Sequence, residues 1–80
     1  MRETPFHIDA FWDSEAGVWV ATSDDVPGLA TEAETIEALT AKLRVMIPEL
    51  LEANRVEATS SRAISFELTS HRQELIRLAS

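Results

Sequence analysis

Two histidines, His7 and His71, are the chain's only imidazoles, and it has neither cysteine nor tyrosine. Without a thiol there is no disulfide, no thiolate metal ligand and no cysteine nucleophile. His7 falls inside an alternating run, where a solvated or hydrogen-bonded role outweighs a ligand role. Asp9, Asp24 and Asp25 are the one carboxylate set that suggests a divalent cation. Asp24 and Asp25, however, flank a Pro-Gly turn, where Asp is favoured for its local backbone hydrogen bonds. Ser14, Ser23, Ser60, Ser61, Ser65, Ser70 and Ser80 stand in no nucleophile-elbow setting. Gly17 and Gly28 are the only glycines, too few for a phosphate-cradling loop. The expectation is a non-enzyme with no cofactor, no metal and no direct nucleic-acid contact.

The acids are better candidates for recognition than for catalysis. Residues 1–40 carry nine Asp/Glu and one basic residue, Arg2; residues 41–80 carry five Glu, Lys42 and five arginines. The halves sum to about −8 and +1, the formal charge of −7. A field of that sign repels phosphate backbones and attracts a basic partner. Asp24, Asp25, Glu32 and Glu34 bracket the Pro-Gly turn and the segment after it, with no basic residue between Ser23 and Thr40. They are expected to form an acidic interface patch. A solvated turn beside a helix N-terminus accounts for the same acids without a partner.

The elements that would position these groups are legible in the hydrophobic period. Phe6, Ile8, Ala10 and Trp12 alternate with His7, Asp9 and Phe11, a strand over about 5–12. Asp13 to Gly17 is a hairpin loop, with Gly17 at its left-handed position. Val18 to Ser23 returns as the second strand. Pro27 and Gly28 make a turn, and about 29–33 is a short third strand. Thr35 is a helix N-cap. From Ile36 the period becomes helical, with Leu39, Leu43, Met46, Ile47, Leu50 and Leu51 on one stripe. The helix spans about 36–53 and ends at Asn54, with a kink or break near Pro48, whose ring crowds the carbonyl of Arg44. Residues 63–69 alternate again as strand four, with Ile64, Phe66 and Leu68 on one face. Residues 71–80 read either as a short helix or as a tail docking on a neighbour.

Eighty residues make one domain spanning 1–80. A domain this small buries only roughly 60% of its unfolded surface, so it gains from oligomerisation. The fold class is α+β: a two-layer β-β-β-α-β arrangement with a four-stranded, mostly antiparallel sheet in the order 3-2-1-4, and one helix on one face. That order is a truncated version of the ribonuclease H topology. The helix is expected to cover Phe6, Ile8, Val18 and Val20. The opposite face then carries His7, Asp9, Phe11, Trp19 and Ala21. Phe11 and Trp19 on an uncovered face call for a partner surface, a second subunit, or the C-terminal segment folded back. No apolar run approaches the ~18 residues of a membrane span, and no N-terminal leader is visible. The expectation is a soluble, cytoplasmic protein with no membrane partner.

The run from Phe11 to Leu39 resembles the N-terminal domain of HicB-type antitoxins, and more nearly a small uncharacterised family of stand-alone bacterial domains in the same superfamily. Asp25-Val26-Pro27-Gly28 stands where HicB has its Pro-Gly turn, and Glu34-Thr35-Ile36-Glu37-Ala38 where its helix opens. The match covers about Phe6 to Leu51. The resemblance implies a partially ribonuclease-H-like domain without nuclease activity that masks a small basic mRNA-cleaving toxin of the HicA type. HicB antitoxins usually add a C-terminal DNA-binding domain; none is expected within 80 residues, so regulation by direct DNA binding is not implied. Two function classes follow. One is a non-catalytic, antitoxin-like protein-binding module. The other is a stand-alone homo-oligomer, a homodimer first of all, with a structural or ligand-binding role and no toxin.

Overall fold

A computed structural model describes residues 4–56 and 63–79. Its elements are β1 (Phe6–Asp13), β2 (Val18–Thr22), β3 (Ala30–Ala33), α1 (Ile36–Ala53) and β4 (Phe66–His71). They form one four-stranded mixed sheet in the order β3-β2-β1-β4. β1 and β2 are antiparallel, as are β2 and β3, while β4 runs parallel to β1. The parallel pair follows from the crossover: α1 carries the chain back to the starting end of the sheet.

The hairpin decides which residues face the core. The Asp13 carboxylate accepts hydrogen bonds from the backbone N–H groups of Glu15 and Ala16. The Gly17 N–H donates to the Asp13 carbonyl at 2.8 Å. Gly17 takes φ +69°, a left-handed conformation that L side chains resist. This four-residue loop places Asp13 opposite Val18, Trp12 opposite Trp19, Phe11 opposite Val20 and Ala10 opposite Ala21. Residues directly opposite share a face. Trp19 and Ala21 therefore join Phe6, Ile8 and Ala10 under the helix, and Val18 and Val20 turn to the open face with Phe11. The expected placement of Trp19 and Ala21 on the open face is thus corrected. A shift of one residue in register exchanges the two faces of a strand, and alternation within β2 cannot choose between the two registers.

Trp19 is 9% exposed, and its indole meets Trp12 edge-on at 5.4 Å between ring centroids. Such pairs are favourable beyond the area they bury. The remaining core comes from β3, the turn and the helix. Val26 and Leu29 are buried on either side of Pro27-Gly28. The Leu29 N–H closes the turn onto the Val26 carbonyl at 3.2 Å, with Gly28 at φ +78°. Pro at the second position and a left-handed Gly at the third are the signature of a type II turn.

The helix is capped as its sequence implies. Thr35 Oγ1 accepts from the Ala38 N–H at 3.0 Å, and Glu37 lies in the first turn, where negative charge is favoured. Leu39, Leu43, Ile47 and Leu51 are its buried row. Burying side chains of this size contributes roughly 1.5–3 kcal/mol each. No break occurs at Pro48: α1 is one element through Ala53. Pro48 takes a helical donor from the Arg44 carbonyl, and both residues are exposed. At the C-terminus the Arg55 N–H donates to Glu52 and the Val56 N–H to Leu51, the pair of bonds that defines a Schellman cap. Arg55 occupies the left-handed position of that cap at φ +56°, where glycine is usual.

Beyond β4, residues 72–79 are neither helix nor strand and are exposed. The short-helix alternative for this segment is not adopted, and it does not fold back over the sheet.

Two stability predictions follow from this packing. Trp19→Ala should cost about 3–5 kcal/mol in urea unfolding, as expected for an aromatic removed from a core, while Phe11→Ser should cost less than about 1 kcal/mol. Equal losses would mean that Trp19 does not pack under the helix. Arg55→Gly should raise stability by about 1 kcal/mol, because it relieves a left-handed conformation at an exposed residue. An unchanged denaturation midpoint would show that this cap is unstrained.

Candidate functional site

The open face of the sheet is the candidate site, and its residues are set by register. One row runs Glu32, Val20, Phe11, His71 from β3 to β4, and the next runs Ala30, Thr22, Asp9, Thr69. Beyond them His7 lies beside Glu67. Phe11 is 49% exposed and stacks on the His71 imidazole, with ring centroids 4.8 Å apart and an interplanar angle of 16°. The apolar centre of the face is therefore Phe11 with Val20, and its margin is polar and mainly acidic.

Two histidines and two carboxylates converge here. His7 Nε2 lies 3.1 Å from Asp9 Oδ1, and His7 Nδ1 lies 3.4 Å from Glu67 Oε1. His71 Nε2 approaches the same Asp9 oxygen at 3.5 Å. Both imidazoles thus turn toward one carboxylate. Among the described residues no three such groups are arranged to hold a metal ion. The Asp9 hydrogen bond is the main reason the His7 pKa is raised above its ordinary 6.5; the Asp9 charge and Glu67 raise it further, and desolvation opposes them.

Asp25 has a structural task. The Phe6 N–H donates to the Ser65 carbonyl, so the backbone of Phe6 is turned toward β4. His7, the next residue, is turned the opposite way, toward β2, where β2 has already ended. Its N–H donates to Asp25 Oδ2 at 2.7 Å, and its carbonyl accepts from the Ser23 hydroxyl. Ser23 Oγ also accepts from the N–H groups of Asp25 and Val26. Two side chains thus extend the β1–β2 ladder by one residue and anchor the loop before Pro27.

The four acids expected as one patch are not together. Asp24 and Asp25 lie where β2 ends, Glu34 follows β3 at the other end of the sheet, and Glu32 is on the open face between them. Asp24, Glu32 and Glu34 are exposed, whereas Asp25 is half-buried. Of the two aromatics, Phe11 is on the open face and Trp19 is beneath the helix. Glu67 and His71 were missed as site residues because they reach the face only through the parallel β1–β4 pairing. A signal for it exists: Phe66-Glu67-Leu68-Thr69 repeats the aromatic, polar, aliphatic, polar order of Phe6-His7-Ile8-Asp9, and the two runs pair without offset.

The raised His7 pKa has a sign. An imidazole that holds its proton more tightly when folded stabilises the fold below the unfolded value of 6.5, and this is lost as pH rises through the folded value. His7→Gln keeps the backbone bond to Asp25 and should remove this loss. The urea midpoint of the parent should therefore fall relative to that of the variant as pH rises above 6.5. Parallel pH profiles would show that the cluster does not favour His7 protonation.

The comparisons agree with this fold. A solved structure of a hypothetical protein from the extremely thermophilic bacterium Thermus thermophilus is 51% identical and superposes with a TM-score of 0.68, covering 94% of this chain and all of its own. No curated protein matches the sequence. Among the described residues no helix is long and apolar enough to cross a membrane. The model of the family described as a domain of unknown function, DUF1902, matches residues 5–80, and the chain belongs to that family.

Proposed function

We propose that this domain is a non-catalytic protein-binding module that docks a basic partner on the open face of its sheet. The observation that carries the reading is that face itself. A half-exposed Phe11 beside Val20 shares this face with Asp9, Glu32 and Glu67, and among the described residues no second layer covers them. An apolar centre with a polar rim is how protein interfaces are built, and the net charge of −7 selects a basic partner. The resemblance of the turn and helix start to HicB antitoxins supports a finer reading. The partner is then a small basic toxin of the HicA type, whose RNA-binding surface the acidic face masks. A homo-oligomer without a toxin is the second reading, favoured by the exposure of Leu75, Ile76 and Leu78.

The test is binding to a small basic protein encoded beside this gene. The association rate should fall steeply with salt, as expected for steering by exposed charge. Phe11→Ser combined with Glu32→Gln should weaken the complex at least about tenfold, with folding unchanged. Asp25 is left intact, since its carboxylate holds the His7 N–H. Binding that is indifferent to salt and to both substitutions would remove the open face from the interface. If no basic neighbour binds, the toxin reading fails.

A further inference from the structure

Residues 72–79 leave the end of β4 as an extended strap carrying Leu75, Ile76 and Leu78, which are 81%, 79% and 89% exposed. The root of the strap is fixed: the Arg72 guanidinium lies 4.1 Å from the Trp12 ring centroid and Arg72 Nε is 2.9 Å from Glu74 Oε2. The strap then passes Trp12 and Ser14 at the hairpin end of the sheet. The radius of gyration, 15.1 Å, exceeds the about 12 Å of a compact domain of this length. Three large apolar side chains held in water on a segment anchored only near its root mark an arm meant for another surface.

A matching surface exists at the opposite end. The backbone of α1 comes close to β3 and β2 and not to β4. This leaves a groove between the helix and the start of β4, lined by Leu43, Arg44, Ile47, Pro48, Ile64 and Phe66. Ile64 is 37% exposed there. Arg44 and Pro48 both line this groove, and Pro48 has no N–H to give the Arg44 carbonyl. An extended segment supplies such donors from its own backbone.

We propose that residues 72–79 are an exchanged arm: in a two-fold dimer, Leu75, Ile76 and Leu78 of each copy fill the groove between α1 and β4 of the other. The occupant is a second copy for geometric reasons. The groove lies at the Phe66 end of β4 and the arm departs from the His71 end, about 17 Å away at strand rise, heading toward the hairpin. β4 is an edge strand. Two such strands set antiparallel about a two-fold axis bring each arm past the start of the other's β4, so both grooves are filled and the assembly closes. Glu74 of the arm and Arg44 of the groove have opposite charge. The dimer uses the helix side of the sheet and leaves Phe11 and Asp9 on the open face free, so it stands independently of the proposed basic partner.

Sedimentation of the unmodified chain should show a dimer. Leu75→Asp with Ile76→Asp should raise its dissociation constant roughly 100-fold, with circular dichroism unchanged because both residues are exposed. The chain has no cysteine, so Ile64→Cys with Ile76→Cys gives an unambiguous cross-link. Under oxidation it should form a disulfide between two chains. A monomer at high concentration, a dimer insensitive to the arm substitutions, or a disulfide confined within one chain would each overturn the proposal.

Discussion

The register of the first hairpin is the constraint on which the rest of this structure depends. A four-residue loop, closed by the Asp13 carboxylate and a left-handed Gly17, sets Trp12 opposite Trp19. That single alignment sends Trp19 and Ala21 into the core and Val18 and Val20 outward. β3 then inherits its faces from β2, with Ala33 opposite Trp19 and Glu32 opposite Val20. The edge-on tryptophan pair also becomes the platform on which Arg72 rests. A loop one residue longer or shorter would give α1 valines in place of an indole to pack against, and would put the indole in water.

A second constraint keeps the sheet intact where β2 stops. Turned away from β4, the backbone groups of His7 would face a gap had Ser23 and Asp25 not supplied side-chain partners. An unmet backbone donor or acceptor in a partly buried position is costly. Asp25 thus serves the fold, although its position in an acidic stretch suggests a role in recognition. The same loop continues into the type II turn that inserts Val26 and Leu29 under the helix, so capping of β1 and closure of the core are mechanically one feature.

The helix covers the sheet asymmetrically. It sits over β2 and β3, and the β4 side of that layer stays open as a groove. Among the described residues nothing covers the opposite sheet face, and there the parallel pairing of β4 with β1 brings His7 and His71 to the Asp9 carboxylate and Glu67 to His7. The domain therefore has two unsatisfied surfaces of different chemistry, one apolar and one acidic with an aromatic centre. In the reading proposed here they take different partners, a second copy and a basic protein, and do not compete.

The sequence alone determined the elements and their order. Local periodicity marks strands and helix, Thr35 and Asn54 mark the helix ends, and Gly17 and Gly28 mark the left-handed turns. Each of these is a property of a few neighbouring residues, so each is visible in the chain. The order β3-β2-β1-β4 followed from short connections and the handedness of the crossover. Tertiary structure alone decided the faces and the site. Alternation shows that Trp19 and Val20 point opposite ways, but not which points inward, because that depends on pairing across the hairpin. Asp25 looks like its neighbour Asp24 until His7 is seen to need its carboxylate. Glu67 and His71 are separated from His7 and Asp9 by some sixty residues of chain, and only the β1–β4 ladder brings Glu67 beside His7 and His71 beside Asp9. Long-range pairing is a relation between segments, and no local pattern records it in full.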